Sequence, residues 1–136
     1  MADVQYGWRG AFANDELNRL HAQAFEHALL DDDWQDITRR HSLGWVTARD
    51  QGELVGFVNV IGDGTVHAWI QDEMVASHAR RKGIGLGLIA FARDGARAAG
   101  CEWLHVDFDD DLRAFYIDAG GFTPTGAGLI DLTTTD

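Results

Sequence analysis

The chain has 136 residues, 46% hydrophobic and 24% charged, the composition of one ordinary globular domain. Its formal net charge of -11 excludes nucleic acid and anionic membrane as main partners, because both are bound by cations that displace counterions. No apolar run nears the ~20 residues of a membrane span, the N-terminus lacks the basic and apolar regions of a signal peptide, and the lone Cys101 allows no internal disulfide, so a cytoplasmic protein is expected.

In chain order, the pattern begins with a strand over Val4 to Trp8. Asn14 reads as an N-cap, with Asp15 and Glu16 in the first turn where negative charge is favoured. Leu17, Leu20, His21, Ala24 and Ala28 follow at helical spacing, which predicts a helix over Asp15 to Leu30. Asp31-Asp32-Asp33 breaks it and caps a second, shorter helix ending near Arg40. Trp45 to Arg49 and Leu54 to Ile61 form a hairpin around Asp50-Gln51-Gly52, and after Gly62-Asp63-Gly64 a third meander strand runs from Thr65 to Val75. A helix starts at Arg81 or Lys82 and runs to Ala99, with Gly100 as its C′ residue. Trp103 to Phe108 reads as a strand. Leu112, Phe115, Tyr116 and Ala119 give one face of a last helix, which Gly120-Gly121 ends, and Leu129 to Thr133 supplies a final strand. The chain has no repeat, low-complexity tract or linker, and Pro124 is its only proline. These elements describe one α+β (mixed α/β) domain over residues 1–136 around a central sheet.

The positive charge is unevenly placed. Lys82 is the only lysine, and it follows Arg80 and Arg81, so three of the eleven cationic side chains stand together in an acidic chain. A solvated surface can carry such a run. Here, however, it joins a strand to the glycine-rich opening of a helix, Gly83-Ile84-Gly85-Leu86-Gly87. The first N–H groups of a helix have no internal partner, the helix dipole adds positive charge there, and glycine admits a ligand close to the backbone. Together these make a phosphate site. A P-loop would need Gly-Lys-Ser/Thr, and a dinucleotide fingerprint would need a different spacing for its third glycine and a βαβ frame; neither is present.

The segment Arg80-x-x-Gly83-x-Gly85 resembles the signature Arg/Gln-x-x-Gly-x-Gly/Ala of the GCN5-related N-acetyltransferase (GNAT) family. Ile70-Gln71-Asp72 and Val75 resemble that family's fourth strand, and Phe115-Tyr116-Ile117-Asp118-Ala119-Gly120-Gly121-Phe122 resembles its Phe-Tyr-x-x-x-Gly-Phe tail. The element order matches along essentially the whole chain. The resemblance implies a GNAT-like fold, with a mostly antiparallel sheet splayed at the cofactor site and flanked by about four helices. It also implies a bacterial-type enzyme using acetyl-coenzyme A, whose pyrophosphate would lie on the amides of Arg81, Lys82, Gly83, Ile84 and Gly85. Arg80 and Lys82 would assist by charge, and backbone near Met74 and Val75 would pair with the cofactor arm. Homodimers are common in the family. Three departures stand out: Asp109 replaces an Asn that contacts the cofactor arm in many members, Ser77 replaces a common Pro, and the tail has one extra residue between Tyr116 and Phe122.

The reaction that the resemblance implies is direct attack of an amine on the thioester. An alkylamine with a pKa near 10.4 is neutral in roughly one molecule in a few thousand at pH 7, so a base is useful, and an acid can protonate the departing sulfur. Tyr116 is the candidate acid by resemblance, against a role as core beside Leu112 and Phe115. Asp72 and Glu73, whose side chains point to opposite faces of a strand, are the candidate bases, against a role as cap or surface carboxylates. His67, His105 and Asp107 are weaker candidates. No close-spaced ligand set points to a metal. Trp34 and Trp45 read as core before they read as acceptor pocket, and Cys101 reads as a buried small hydrophobe. The alternatives to an amine acetyltransferase are a coenzyme A-binding module without catalysis and a nucleotide-binding domain using the same loop. The acidic surplus, with Asp31 to Asp33 and Asp109 to Asp111, points to a cationic amine acceptor.

Overall fold

Five strands pair into one sheet in a computed structural model, which describes residues 3–134. They are β1 (Val4–Trp8), β2 (Ser42–Asp50), β3 (Glu53–Gly62), β4 (His67–Val75) and β5 (Trp103–His105), in the spatial order β1-β2-β3-β4-β5. The first four are antiparallel neighbours, and β5 joins parallel to β4 after a helical crossover. Three α-helices accompany them: α1 (Asn14–Phe25), α2 (Trp34–His41) and α3 (Ile84–Ala98).

The period-2 pattern of β3 assigns the two faces. A side chain at Gly56 would meet Ile84 Cγ2 at 3.0 Å and Leu88 Cδ1 at 3.1 Å, so that face carries α3. The next residue, Phe57, packs its ring edge-on against Phe12 and Trp34, so the opposite face carries α1 and α2. The α3 face is closed over β1 by a stripe of small residues. A Cβ at Gly87 would lie 2.2 Å from the Tyr6 hydroxyl and one at Gly95 would lie 2.3 Å from the Trp8 ring, while Phe91 between them stacks on Tyr6 at 4.9 Å. Gly87 therefore serves packing, although in the sequence it reads as part of the glycine-rich loop.

Several elements end earlier than their periodicity suggests. α1 stops at Phe25, not Leu30, because Glu26 turns left-handed at φ 55°. Continuing would bring Asp31, Asp32 and Asp33 to the negative end of the helix dipole. Instead Asp33 caps α2, its carboxylate accepting from Asp36 N–H. The N-cap of α1 is Ala13, not Asn14; Glu16 reaches back to the Ala13 N–H at 2.8 Å, and Asn14 uses its side chain to join the two helix starts through Gln35 N–H and the Asp33 carboxylate. α3 closes with the expected glycine: Gly100, at φ 99°, and Cys101 return N–H groups to the Arg97 and Ala96 carbonyls in a Schellman motif. Cys101 itself is half-buried.

The chain divides into two compact units between Val106 and Asp107, and the five strands and three α-helices all belong to the first. In the second, a 3-10 turn over Asp110–Leu112 precedes a π-helical turn over Ala114–Ala119. The strand expected to Phe108 stops at His105, where the parallel pairing with β4 stops. The strand expected over residues 129–133 does not form; among the described residues no strand pairs with it, and an isolated strand leaves its backbone groups without partners. The π-helical turn explains the extra residue of the tail. Its wide hydrogen bonds, Gly120 N–H to the Phe115 carbonyl and Phe122 N–H to the Tyr116 carbonyl, absorb one residue and return Phe122 to the Tyr116 ring at 5.9 Å.

Candidate functional site

β4 is irregular where the candidate carboxylates stand. Phe57 pairs with Met74 and Asn59 pairs with Gln71, so Asp72 and Glu73 together oppose Val58 alone. This is a β-bulge, and Asp72 takes the left-handed backbone at φ 56°. The extra residue keeps both Gln71 and Asp72 on the α1 face. Asn59 donates a side-chain hydrogen bond to the Asp72 carboxylate, and His21 of α1 lies close enough to act on its charge. Alternation from Met74, which pairs with Phe57, places Glu73 on the α3 face. The two surroundings differ. Burial raises Asp72 above the ordinary aspartate range, with His21 and Asn59 opposing the shift. Burial alone pushes Glu73 up to about 8, and its Oε2 is buried without a hydrogen-bond partner among the described residues. Such a carboxyl holds its proton at neutral pH.

β4 also has an open edge. β5 pairs only with His67, Ala68 and Trp69, so from Ile70 to Val75 the side of β4 away from β3 has no strand partner among the described residues. The main chain of Met74 and Val75, expected to receive the cofactor arm, lies on this stretch. Where the pairing does hold, His67 Nδ1 lies 2.8 Å from His105 Nε2, and Trp69 stacks on His105 at 4.7 Å.

The open edge leads into the basic loop. A 3-10 turn over Ser77–Ala79 is held to α1 by the Gln23 side chain, which accepts from Ser77 N–H. The Arg80 guanidinium donates to the main-chain carbonyls of Val75, at 3.4 Å, and Ala24, at 3.3 Å, tying loop, strand and helix together. Arg81 and Lys82 are exposed. Arg81, at φ 65°, and Gly83, at φ 78°, are both left-handed, so α3 begins at Ile84 rather than at Arg81 or Lys82. No side chain caps α3, and its first intrahelical bond is Gly87 N–H to the Gly83 carbonyl, which leaves the N–H groups of Ile84, Gly85 and Leu86 outside the helix ladder. Nothing lies within 4 Å of where a Gly83 Cβ would stand. Free N–H groups, a helix dipole and two exposed cations at an open backbone suit a pyrophosphate. A hollow of about 270 Å³ beside α1 suits one less, because Glu16 and Glu53 line it.

Tyr116 is buried in the second unit, where its ring stacks on Phe108 at 5.2 Å and meets Phe115 and Phe122 edge-on. Asp109 is exposed and precedes the 3-10 turn, its carbonyl accepting from Leu112 N–H. Trp34 is buried, with its indole N–H on Asn18 Oδ1; Trp45 donates to the Gly10 carbonyl. Residue types alone did not single out His21, which the structure sets against Asp72; the helical spacing of Leu17, His21 and Ala24 was its only signal. No group of three or more His, Cys, Asp or Glu among the described residues could hold a metal ion, and no helix is long and apolar enough to cross a membrane.

The sequence profile described as the Acetyltransferase (GNAT) family matches residues 11–120. None of the curated proteins is a significant match in sequence. Among solved structures, a probable acetyltransferase of unknown function from meticillin-resistant Staphylococcus aureus is similar with a TM-score of 0.75 and 20% identity, over 97% of this chain and 98% of its own. Glucosamine-6-phosphate N-acetyltransferase from Arabidopsis thaliana gives 0.73 and 14%, over 96% and 99%. Aminoglycoside N-acetyltransferase AAC(6′)-Iy, solved with CoA, gives 0.77 and 17%, over 96% and 95%. At these identities the structural likeness carries the fold alone, while the profile spans 11–120 and with it the bulge, the open edge, the basic loop and the Tyr116 turn, so the chain belongs to the GNAT acetyltransferase family.

Proposed function

We propose that the protein transfers the acetyl group of acetyl-coenzyme A to a primary amine on a cationic molecule. The observation that carries this reading is the uncapped start of α3, which stands with Arg81 and Lys82 at the end of the open edge of β4. The amides of Arg81 to Gly85 would hold the pyrophosphate and the main chain of Met74 and Val75 the cofactor arm; Arg80 positions the loop while adding charge. The bound cofactor supplies an activated thioester. Asp72 and Glu73, on that stretch of β4, are the candidate carboxylate bases, and Tyr116 is the candidate acid for the departing sulfur. Of the solved structures similar in fold, one is an aminoglycoside N-acetyltransferase and another a glucosamine-6-phosphate N-acetyltransferase.

The acceptor's charge follows from the protein's own. Outside Arg80, Arg81 and Lys82 the chain has eight cationic residues against twenty-two acidic ones. Such a field attracts cations and repels anions. Thiol release from acetyl-coenzyme A with a panel of polyamines, amino sugars, peptide amines and anionic amines tests the activity. Calorimetry with coenzyme A against ATP and NAD tests the loop. Thiol release with cationic amines and selective binding of coenzyme A are expected. Binding without turnover would leave a coenzyme A-binding module, and preference for ATP or NAD would refute the cofactor assignment.

A further inference from the structure

His21 lies on α1 against the bulge, and its hydrogen bonds fix more than its place. His21 Nδ1 is 2.6 Å from His27 Nε2, and His27 Nδ1 is 2.7 Å from the Ala28 carbonyl oxygen. A carbonyl only accepts, so His27 Nδ1 carries a proton. Neutral His27 then has its lone pair on Nε2 and accepts from His21 Nδ1–H. Neutral His21 is left with its lone pair on Nε2, and no protein group among the described residues bonds to that atom. The ring is held from three sides, by Phe25 at 4.7 Å, His27 at 4.8 Å and Trp34 at 5.4 Å. This is an imidazole kept in one tautomer and one orientation, with its basic nitrogen open, beside the carboxylate of the strained Asp72.

We propose that His21 Nε2 takes the proton from the acceptor nitrogen, with His27 as the positioning residue that fixes its tautomer. The proposal rests on the acetyltransferase reading above. When the neutral amine attacks, a C–N bond forms and the nitrogen becomes positive, which makes it far more acidic than a free alkylammonium. Its proton passes to His21 Nε2. The C–S bond then breaks, and sulfur leaves with the bonding pair. The imidazolium donates through Nδ1 to His27 and is balanced by carboxylates on two sides: Asp72 on β4 and Asp32 in the loop before α2. These two, with His27, are the titratable groups that the structure sets against it. Burial, the largest influence, lowers the pKa of His21, and His27 lowers it too, while Asp72 and Asp32 raise it. The free base is therefore the form present at neutral pH.

Two measurements on the full chain test this. The first needs no activity: ¹⁵N spectra of histidine-labelled protein at pH 7.5 should show His21 with an unprotonated Nε2 and a protonated Nδ1. An Nε2–H tautomer at His21 overturns the proposal. The second is the pH dependence of kcat/KM. His21→Asn keeps an N–H donor near His27 and removes the base; it should lose at least about 10²-fold together with the acidic limb of the profile, while coenzyme A binds in calorimetry as it does to wild type. His27→Ala should shift that limb, and His27→Gln, which restores an acceptor for Nδ1–H, should move it back. If His21→Asn stays within a few-fold of wild type, or if Asp72→Asn alone removes the acidic limb, the base is not His21. An active wild type with either result refutes this proposal only, whereas a wild type that binds coenzyme A but turns over no amine refutes the acetyltransferase reading as well.

Discussion

Glu73 offers the sharpest physical test of the site. Its carboxyl is buried on the α3 face with Oε2 unpartnered, and burial raises its pKa from 4.5 to about 8. A raised carboxyl pKa means that the folded protein keeps a proton which the unfolded chain releases. The stability associated with the neutral carboxyl is fully present below about pH 4.5, falls as pH rises, and is lost once pH passes about 8. The limiting slope is about 1.4 kcal/mol per pH unit, so the total loss is of the order of 4–5 kcal/mol at most. Glu73→Gln keeps the shape and removes the titration. Urea unfolding of both proteins at pH 5, 7 and 9 should give similar stabilities at pH 5 and a variant more stable by several kcal/mol at pH 9. Parallel profiles for the two proteins would show that Glu73 is solvated in the folded state, and the placement of its carboxyl would be wrong. A pKa near 8 also suits a base for amine chemistry. If Glu73 has that role, wild-type activity rises through pH 8 and Glu73→Gln loses the rise; if it is structural, the variant keeps its activity while gaining stability.

The other tests act on separate parts of the molecule. Gly85→Glu places a carboxylate among the free amides of α3 and should abolish coenzyme A binding in calorimetry while circular dichroism stays unchanged; a variant that binds like wild type refutes the loop assignment. Tyr116→Phe should lower kcat by roughly 10²-fold or more and leave the KM for acetyl-coenzyme A nearly unchanged, since the aromatic contacts remain; single-turnover rates check that slow product release does not hide the effect. Gly95→Ala would place a methyl 2.3 Å from Trp8 and should destabilise the protein by about 1–3 kcal/mol in urea unfolding, although alanine is the better helix former by about 1 kcal/mol. Raising salt should increase the KM of a cationic acceptor, because exposed charges are screened beyond about 8–10 Å at physiological ionic strength; a KM indifferent to salt removes the electrostatic basis for a cationic substrate.

The meander, the crossover helix and the basic loop were legible because each has a local cause. Alternation marks β2 to β4, glycine and aspartate mark their turns, and a lysine among arginines before Gly83 marks the basic loop that opens α3. What was not legible depends on partners distant in sequence. The role of Gly87 is set by Tyr6, some eighty residues earlier, and the bulge at Asp72 by the register against Phe57 and Asn59. The early end of α1 follows from where the three aspartates would fall, which periodicity does not weigh. The tail kept its residues at helical spacing but wound as a π-helical turn, because one extra residue has to fit between Tyr116 and Phe122.

The bulge does two things that a regular strand could not do together. In an unbroken β4 the faces would alternate, and with Gln71 on the α1 face Asp72 would turn toward α3. The inserted residue keeps Asp72 toward His21 and places Glu73 on the other face. Two consecutive carboxyls thereby enter different surroundings: one with a hydrogen-bond donor and a histidine, the other with neither. Titratable pairs whose environments push their pKa values apart are how one fold supports acid and base roles at a single pH. The backbone cost is a non-glycine residue at positive φ, at most a few kcal/mol, and such strain gathers at functional sites. The same pattern recurs at Arg81, the other left-handed non-glycine residue of the site, at the mouth of α3. Asp72, within the open stretch of β4, and Arg81, at the mouth of α3, both lie on the path proposed above for the cofactor, so the strain falls where that reading needs a fixed backbone.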